Sequence, residues 1–349
     1  MKTLHRRKHA RWPVATYGLL ATAITIVLVA AGATSGAGAA TVHRVRPAVS
    51  GNKLIYVIGY QQNNPFWDTE GKGALQAGSQ FGVAVRYEAP LTSSDAGMVS
   101  LIDAALATHP YGIAIDYTDK TMQAPVLRAL HAGVKVVLYN NNRFEAQSGG
   151  ATTNPAITNL AFVGQNEHLS GGVLGKAFLP FLPKGHGTVL IVNPFPAAFV
   201  LTLRYDGVRS VVQAAGYKTA LLNVNGNDPE TTVESTIGAY LQGHTGIVGL
   251  VGLGDPAASP ATLYIDQHHL KIPVATFDID TTTYDLMKAH TSEALALDQQ
   301  PYLQAYFAVE DLALEMKYGF QPVSVNTGTF LVTQKNIGLV GKLVAQGRD

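Results

Sequence analysis

From Lys53 onward, short apolar runs alternate with amphipathic stretches at roughly 25–35 residues per pair, and this rhythm narrows the fold more than any other feature. Lys53–Tyr60, Val83–Tyr87, Gly112–Asp116 and Val134–Tyr139 read as buried strands. Between them Trp67–Phe81, Ala96–Thr108 and Pro125–His131 read as helices, closed by Gly82 and Gly133 where these follow directly. A polar, Gly-rich loop covers Asn140–Asn159, and the rhythm then restarts. Leu160–Val163, Gly187–Val192, Lys218–Val224, Ile247–Leu253, Val274–Asp278 and Glu293–Leu297 are the further strands. Helices are expected over Glu167–Leu179 and Phe199–Ala215, and from Asp228-Pro229-Glu230, with Asp228 as cap and Pro229 in first position. Repeated βαβ units build parallel sheets covered by helices on both faces. Two runs of units separated by a loop predict an α/β protein with two Rossmann-like lobes.

The first fifty residues follow another pattern. Lys2, Arg6, Arg7, Lys8 and Arg11 precede an uncharged apolar run from Val14 to Gly32 and the small residues Ala37-Gly38-Ala39. This is the order of a secretory signal peptide over 1–39, with 40–52 as linker. The apolar run is also just long enough to span a bilayer, so a retained anchor stays open beside a cleaved leader. Either way the body is expected outside the cytoplasm, in the periplasm or its equivalent. With no Cys, the chain has no disulfide, thiolate metal site or lipidated Cys. All of the basic excess lies in the leader, which leaves the remainder with four more acids than bases. Such a body is a poor binder of nucleic-acid phosphates.

In open parallel sheets, ligands bind beyond the C-terminal ends of the strands. The residues there are Gln61, Gln62, Asn63, Asn64, Phe66 and Trp67, then Asp116, then Asn140 to Asn142. Later strands are followed by Asn193, by Asn225, Asn227 and Asp228, by Gly254 and Asp255, by Asp278 and Asp280, and by Asp298, Gln299 and Gln300; Arg204 lies in the helix region beyond Asn193. Amides, carboxylates, one Arg and an aromatic pair suit a polyhydroxyl ligand. Each hydroxyl donates and accepts, and the C–H face of a sugar ring packs on an aromatic plane. The sequence lacks the nucleotide, nucleophile-elbow and zinc-protease motifs. The eleven His are scattered without metal-ligand spacing, so neither metal nor cofactor is expected.

Asn64-Pro65-Phe66-Trp67 with Gly71 and Gly73, the strand Val134–Tyr139, Val163-Gly164-Gln165-Asn166-Glu167 with Gly171-Gly172, Arg204-Tyr205-Asp206-Gly207, Thr276-Phe277-Asp278 and Asp298–Gln304 together resemble ribose/galactose-type periplasmic sugar-binding proteins. These are the solute receptors of bacterial ABC importers, with a fold shared by the ligand domain of LacI-type repressors. The resemblance implies a type I periplasmic binding protein whose lobes are joined by three crossings, near Gly164, Gln300 and Val325. The lobes would be 53–163 with 300–325, and 164–299 with 326–340, followed by a tail at 341–349. It implies ligand contacts from Asn64, Phe66 and Trp67 on one lobe, and from Arg204, Asp278 and Gln299 on the other lobe and the hinge. Asn140 and Asn141 stand where many ribose-type members carry Asp then Arg. Gly254-Asp255 stands where Asn-Asp is common, and Asp228 lies near a family contact. The implied function is carbohydrate transport by hinge closure of a monomer around a monosaccharide or polyol, with the permease as membrane partner. The alternative is an exported carbohydrate- or nucleoside-processing enzyme on a similar scaffold. A repressor is disfavoured, since a leader stands where a helix-turn-helix would be.

Overall fold

β1 (Leu54–Ile58) is five apolar residues, four of them buried, lying between two parallel partners. The computed structural model describes residues 53–118, 120–141 and 154–348. The leader and linker therefore lie outside the described residues, as does most of the Asn140–Asn159 loop. After β1 come α1 (Pro65–Phe81), β2 (Ala84–Glu88), α2 (Asp95–Leu106), β3 (Gly112–Asp116), α3 (Gln123–His131), β4 (Lys135–Asn140), the single turn α4 (Pro155–Thr158) and β5 (Phe162–Gly164). The second run is α5 (Glu167–Phe178), β6 (Thr188–Asn193), α6 (Phe199–Ala214), β7 (Lys218–Asn223), α7 (Glu230–Gly243), β8 (Ile247–Gly252), α8 (Asp255–Gln267), β9 (Val274–Phe277), α9 (Thr281–Lys288) and β10 (Glu293–Asp298). The chain ends with α10 (Pro301–Tyr318), β11 (Val325–Asn326), β12 (Phe330–Val332) and α11 (Ile337–Gln346).

The strands form two sheets. In the first the order is β11-β5-β4-β3-β1-β2, parallel throughout; in the second it is β12-β10-β9-β8-β6-β7, with only β12 antiparallel. Each sheet is buried on both faces, which is why its central strands read as unbroken apolar runs. In the first lobe Ile55, Val57 and Val137 pack with Ala74 of α1 and Ala305 and Leu312 of α10, while Ile113, Ile115 and Leu138 pack with Met98 and Ile102 of α2 and Val126 of α3. In the second, α5 and α6 cover one face through Leu174, Phe178 and Val208, and α7 and α8 cover the other through Ile237, Ala261 and Ile265.

The chain passes between the sheets three times: from β5 to α5, from β10 to α10, and from β11 to β12. Thus α10, which follows a strand of the second sheet, packs on the first.

Local chemistry sets the boundaries. Asn64 caps α1 by accepting from the Phe66 N–H at 3.0 Å, with Pro65 in the first turn, and Gly82 ends the helix at φ 59°. The start of α7 differs from expectation. The helix begins at Glu230 with Pro229 at its cap, and Asp228 accepts from Asn225 Nδ2 at 2.7 Å instead of capping. The expected tail at 341–349 carries the second half of α11, anchored by buried Val344. Among the described residues no helix is long and apolar enough to cross a membrane.

Candidate functional site

The C-terminal ends of both sheets face a shared cleft of about 380 Å³. Asn64, Phe66, Trp67, Asn140, Asn141, Arg204, Asp228, Asp255, Asp278 and Gln299 all line it, whereas Gln61, Gln62, Asn63, Asp116, Asn193, Asn225, Asn227, Asp298 and Gln300, also noted at the strand ends, do not. The sequence reading missed Tyr60, Asp95, Phe195, Glu230 and Ser259, which line it as well, and noted Asp280 only as following a strand. Tyr60 and Phe195 each sit two residues past a strand end, a position that could have flagged them. Ser259, a full turn into α8, carries no such signal.

The first lobe contributes aromatic and amide groups. Phe66 and Trp67 sit in the first turn of α1, edge to face at 4.8 Å between ring centroids, and Tyr60 adds a third ring 5.9 Å from Trp67. Asn140 ends β4. Its Nδ2 donates to Gln304 Oε1 at 2.8 Å, and its Oδ1 accepts from Asn141 Nδ2 at 2.6 Å. The same Asn141 amide also donates to Asp116 Oδ1 at 2.6 Å. Both amide hydrogens are thereby engaged, so Asn141 offers the cleft its carbonyl oxygen. Burial pushes the Asp116 carboxyl up to about 8, against the lowering by Asn141.

The second lobe contributes charge. Arg204 of α6 is 4% exposed. Its Nε donates to Glu167 at 2.6 Å, one terminal nitrogen donates to the other Glu167 oxygen at 3.3 Å, and the second donates to the Leu253 carbonyl at 3.0 Å. That second nitrogen lies 3.9 Å from Asp278, and the guanidinium stacks 4.5 Å from the Phe277 ring centroid. Arg204 is therefore largely committed to the protein. Burial works against its charge, but Glu167 and Asp278 outweigh it and hold the guanidinium protonated. The sequence motif around Glu167 was visible, but its partner lies 37 residues away. Burial raises the Asp278 carboxyl, offset in part by Arg204 and by the hydrogen bond from Gln299 Nε2. Asp255, in the first turn of α8, accepts from Thr283 Oγ1, and burial with Asp280 nearby raises its carboxyl well above the usual value. Asp280 caps α9 by accepting from the Thr283 N–H at 2.8 Å.

Hydrogen bonds tie the crossings together beneath the cleft. Gln304 Nε2 donates to the Gln299 carbonyl at 3.0 Å and to Thr327 Oγ1 at 3.3 Å, Gln165 Nε2 reaches Gln299 Oε1 at 3.4 Å, and Gln300 Nε2 donates to the Thr327 carbonyl. All three inter-lobe segments thus share one network. Asn140, Asp278 and Gln300 hold φ values of 56°, 73° and 60°, left-handed conformations that L-residues seldom adopt and that cluster at binding sites. Among the described residues, no three His, Asp or Glu side chains are grouped to hold a metal ion.

This architecture, two parallel α/β lobes with a polar cleft at their strand ends and a three-segment hinge, defines the class of type I periplasmic binding proteins. A family model described as a periplasmic binding protein domain matches residues 55–319, and the chain belongs to that family. The sequence resemblance holds at this level. A carbohydrate transporter from Acidothermus cellulolyticus 11B, solved with myo-inositol, is 27% identical over 85% of this chain and 99% of that one, with a TM-score of 0.72. A periplasmic sugar-binding protein of an ABC sugar transporter from Legionella pneumophila is 25% identical over 79% of this chain and 99% of the other, with a TM-score of 0.70. An ABC transporter solute-binding protein from Burkholderia graminis C4D1M, solved with D-arabinose, shares the fold at 23% identity and a TM-score of 0.71, over 81% of this chain and 96% of that one. No curated protein matches the sequence. The family and these neighbours are binding proteins rather than enzymes.

Proposed function

We propose that this protein is the extracytoplasmic receptor of an ABC importer and that it captures a monosaccharide or polyol between its lobes. One observation carries the reading: aromatic rings and amides from one lobe, carboxylates from the other and Gln299 from the hinge all face a single cleft. The volume, about 380 Å³, lies within the range of small-molecule sites. Ligand touching both lobes stabilises the closed form over the open one, by the few kcal/mol that separate such states. Closure excludes water and strengthens each polar contact. The closed shape, and not a chemical product, is then what a membrane permease reads. Export by the N-terminal leader and action as a monomer complete the proposal.

The test is a thermal-shift screen of the folded protein over pentoses, hexoses and cyclitols. A ligand at about 100 times its Kd adds about 2.7 kcal/mol to the stability of the native state. One or more members should raise Tm by several degrees, small-angle scattering should show compaction, and the sugar should be recovered intact. No shift with any member, or steady conversion of a bound sugar, would overturn the reading.

A further inference from the structure

The cleft has an unbalanced hydrogen-bonding inventory. Six carboxylates line it: Asp95, Asp228, Glu230, Asp255, Asp278 and Asp280. Arg204 is the only cationic side chain among the described lining residues, and it is already bonded to Glu167 and the Leu253 carbonyl. Glu167 lies behind it and cancels its charge. Of the lining amides, Asn64 uses only its oxygen, as the α1 cap, and two others are engaged by the protein. Both hydrogens of Asn141 Nδ2 are used, on Asp116 and Asn140, and Gln299 Nε2 is engaged by Asp278. The first-lobe face keeps the Asn64 amide and the Trp67 indole as donors, whereas the second-lobe face carries more carboxylates than its single, already paired cation offsets, even with burial raising the Asp255 and Asp278 carboxyls.

The carboxylates do not converge on one point, and no three of them are grouped to hold a metal ion. Thr118 fixes Asp95 on the first lobe, while on the second lobe Asn225 donates to Asp228 and Thr283 to both Asp255 and Asp280, which fixes those carboxylates as a wall. A separate observation marks this wall as a ligand surface. Ser259 lies one turn after Asp255 on α8, lines the cleft and is 6% exposed, yet its hydroxyl has no hydrogen-bond partner. A buried hydroxyl left unpaired costs free energy, so its position at a cleft wall points to a partner supplied from the cleft.

A neutral sugar brings hydroxyls that both donate and accept, but no charge to set against the second-lobe carboxylates. An ammonium brings three donors and no acceptor. Anionic sugars would face like charge. Resting on the reading of this cleft as a sugar-receptor site, we infer that the ligand is an amino-substituted sugar or cyclitol, bound as its ammonium form against the carboxylates of the second lobe. Its ring packs on Phe66 and Trp67 and its amine points at the α8–α9 wall.

Calorimetry at pH 7 and moderate salt tests this with matched pairs: glucosamine, galactosamine, mannosamine and scyllo-inosamine, each against its hydroxyl parent, with glucuronate and galacturonate as anionic controls. A hydrogen bond to a charged group exceeds a neutral one by enough that the preferred amine should bind at least about tenfold tighter than its parent, with the uronates failing to bind. The variant Asp280→Asn keeps the cap acceptor of α9 but removes one charge. Combined with Asp228→Asn, it should shrink the amine preference to about threefold or less, with far-UV circular dichroism unchanged. Parity between amine and parent, or tighter binding of the parent, would overturn the inference and leave the sugar-receptor reading standing. An amine preference undiminished in the double variant would overturn its assignment to these carboxylates. No binding by any amine, neutral sugar or uronate to the folded protein would overturn both.

Discussion

Removing Arg204 tests how the cleft is organised. Arg204→Met retains much of the aliphatic stem but deletes a guanidinium whose side chain is only 5% exposed. Two bonds to Glu167 and one to the Leu253 carbonyl disappear, and Asp278 loses its neighbouring cation. Breaking a buried ion pair by removing one partner costs about 3–5 kcal/mol, and the abandoned carbonyl can add about 1–3 kcal/mol. Glu167 recovers some of this by taking up a proton, because burial already raises its carboxyl. The net expectation is therefore about 3–5 kcal/mol, or roughly 10 °C in Tm for a lobe of this size. Urea and thermal denaturation followed by circular dichroism measure it directly. The double variant Glu167→Leu/Arg204→Met replaces both charges with apolar groups and should come back to within about 1 kcal/mol of the native protein, since buried pairs tolerate such exchange. A single variant melting within about 2 °C of native, or a double variant whose loss equals the sum of the two singles, would refute the view that these residues act as one buried unit.

Gly207→Ala would place a methyl group into the His168 carbonyl oxygen where α5 and α6 meet, and overpacking of this kind should cost about 1–3 kcal/mol in denaturation; an unchanged midpoint would show that the helices can separate freely. Burial raises the carboxyls of Asp116 and Glu293 to about 8, so the folded state holds their protons more tightly than the unfolded chain does, whose value is near 4. Their contribution to stability is complete below about pH 4 and is lost as the pH rises through about 8; Asp116→Asn/Glu293→Gln should flatten that decline in Tm between pH 4.5 and 8.5, and parallel curves for variant and native protein would contradict it. Gln304→Leu strips the partners of the Asn140 amide and the Gln299 carbonyl and should cost about 2–3 kcal/mol in urea unfolding, whereas a loss below about 0.5 kcal/mol would remove the hinge network from the argument.

The order of elements was readable because it depends on local periodicity. Five apolar residues at β1, and Val274, Ala275 and Phe277 at β9, each run followed by polar residues, signal a doubly buried strand without reference to neighbours. The candidate site was readable for a related reason: parallel sheets put their ligands at strand ends, so Asn64, Asn140, Asp255, Asp278 and Gln299 could be named by position alone. The two-residue β11 and three-residue β12 left no comparable signal. Such short strands are defined by the partners they pair with, β5 and β10, and not by a pattern of their own.

The sequence by itself determined the alternation of strands and helices, the exclusion of cysteine chemistry, and several of the polar residues that reach the cleft. Tertiary structure alone decided how those residues spend their bonds. It set Glu167 against Arg204, turned the Asn141 amide towards Asp116 and brought Thr283 between Asp255 and Asp280. Local propensity acts over a few residues and is written in neighbouring letters. The balance of donors and acceptors arises from contacts between segments tens of residues apart, and exists only once the lobes are packed.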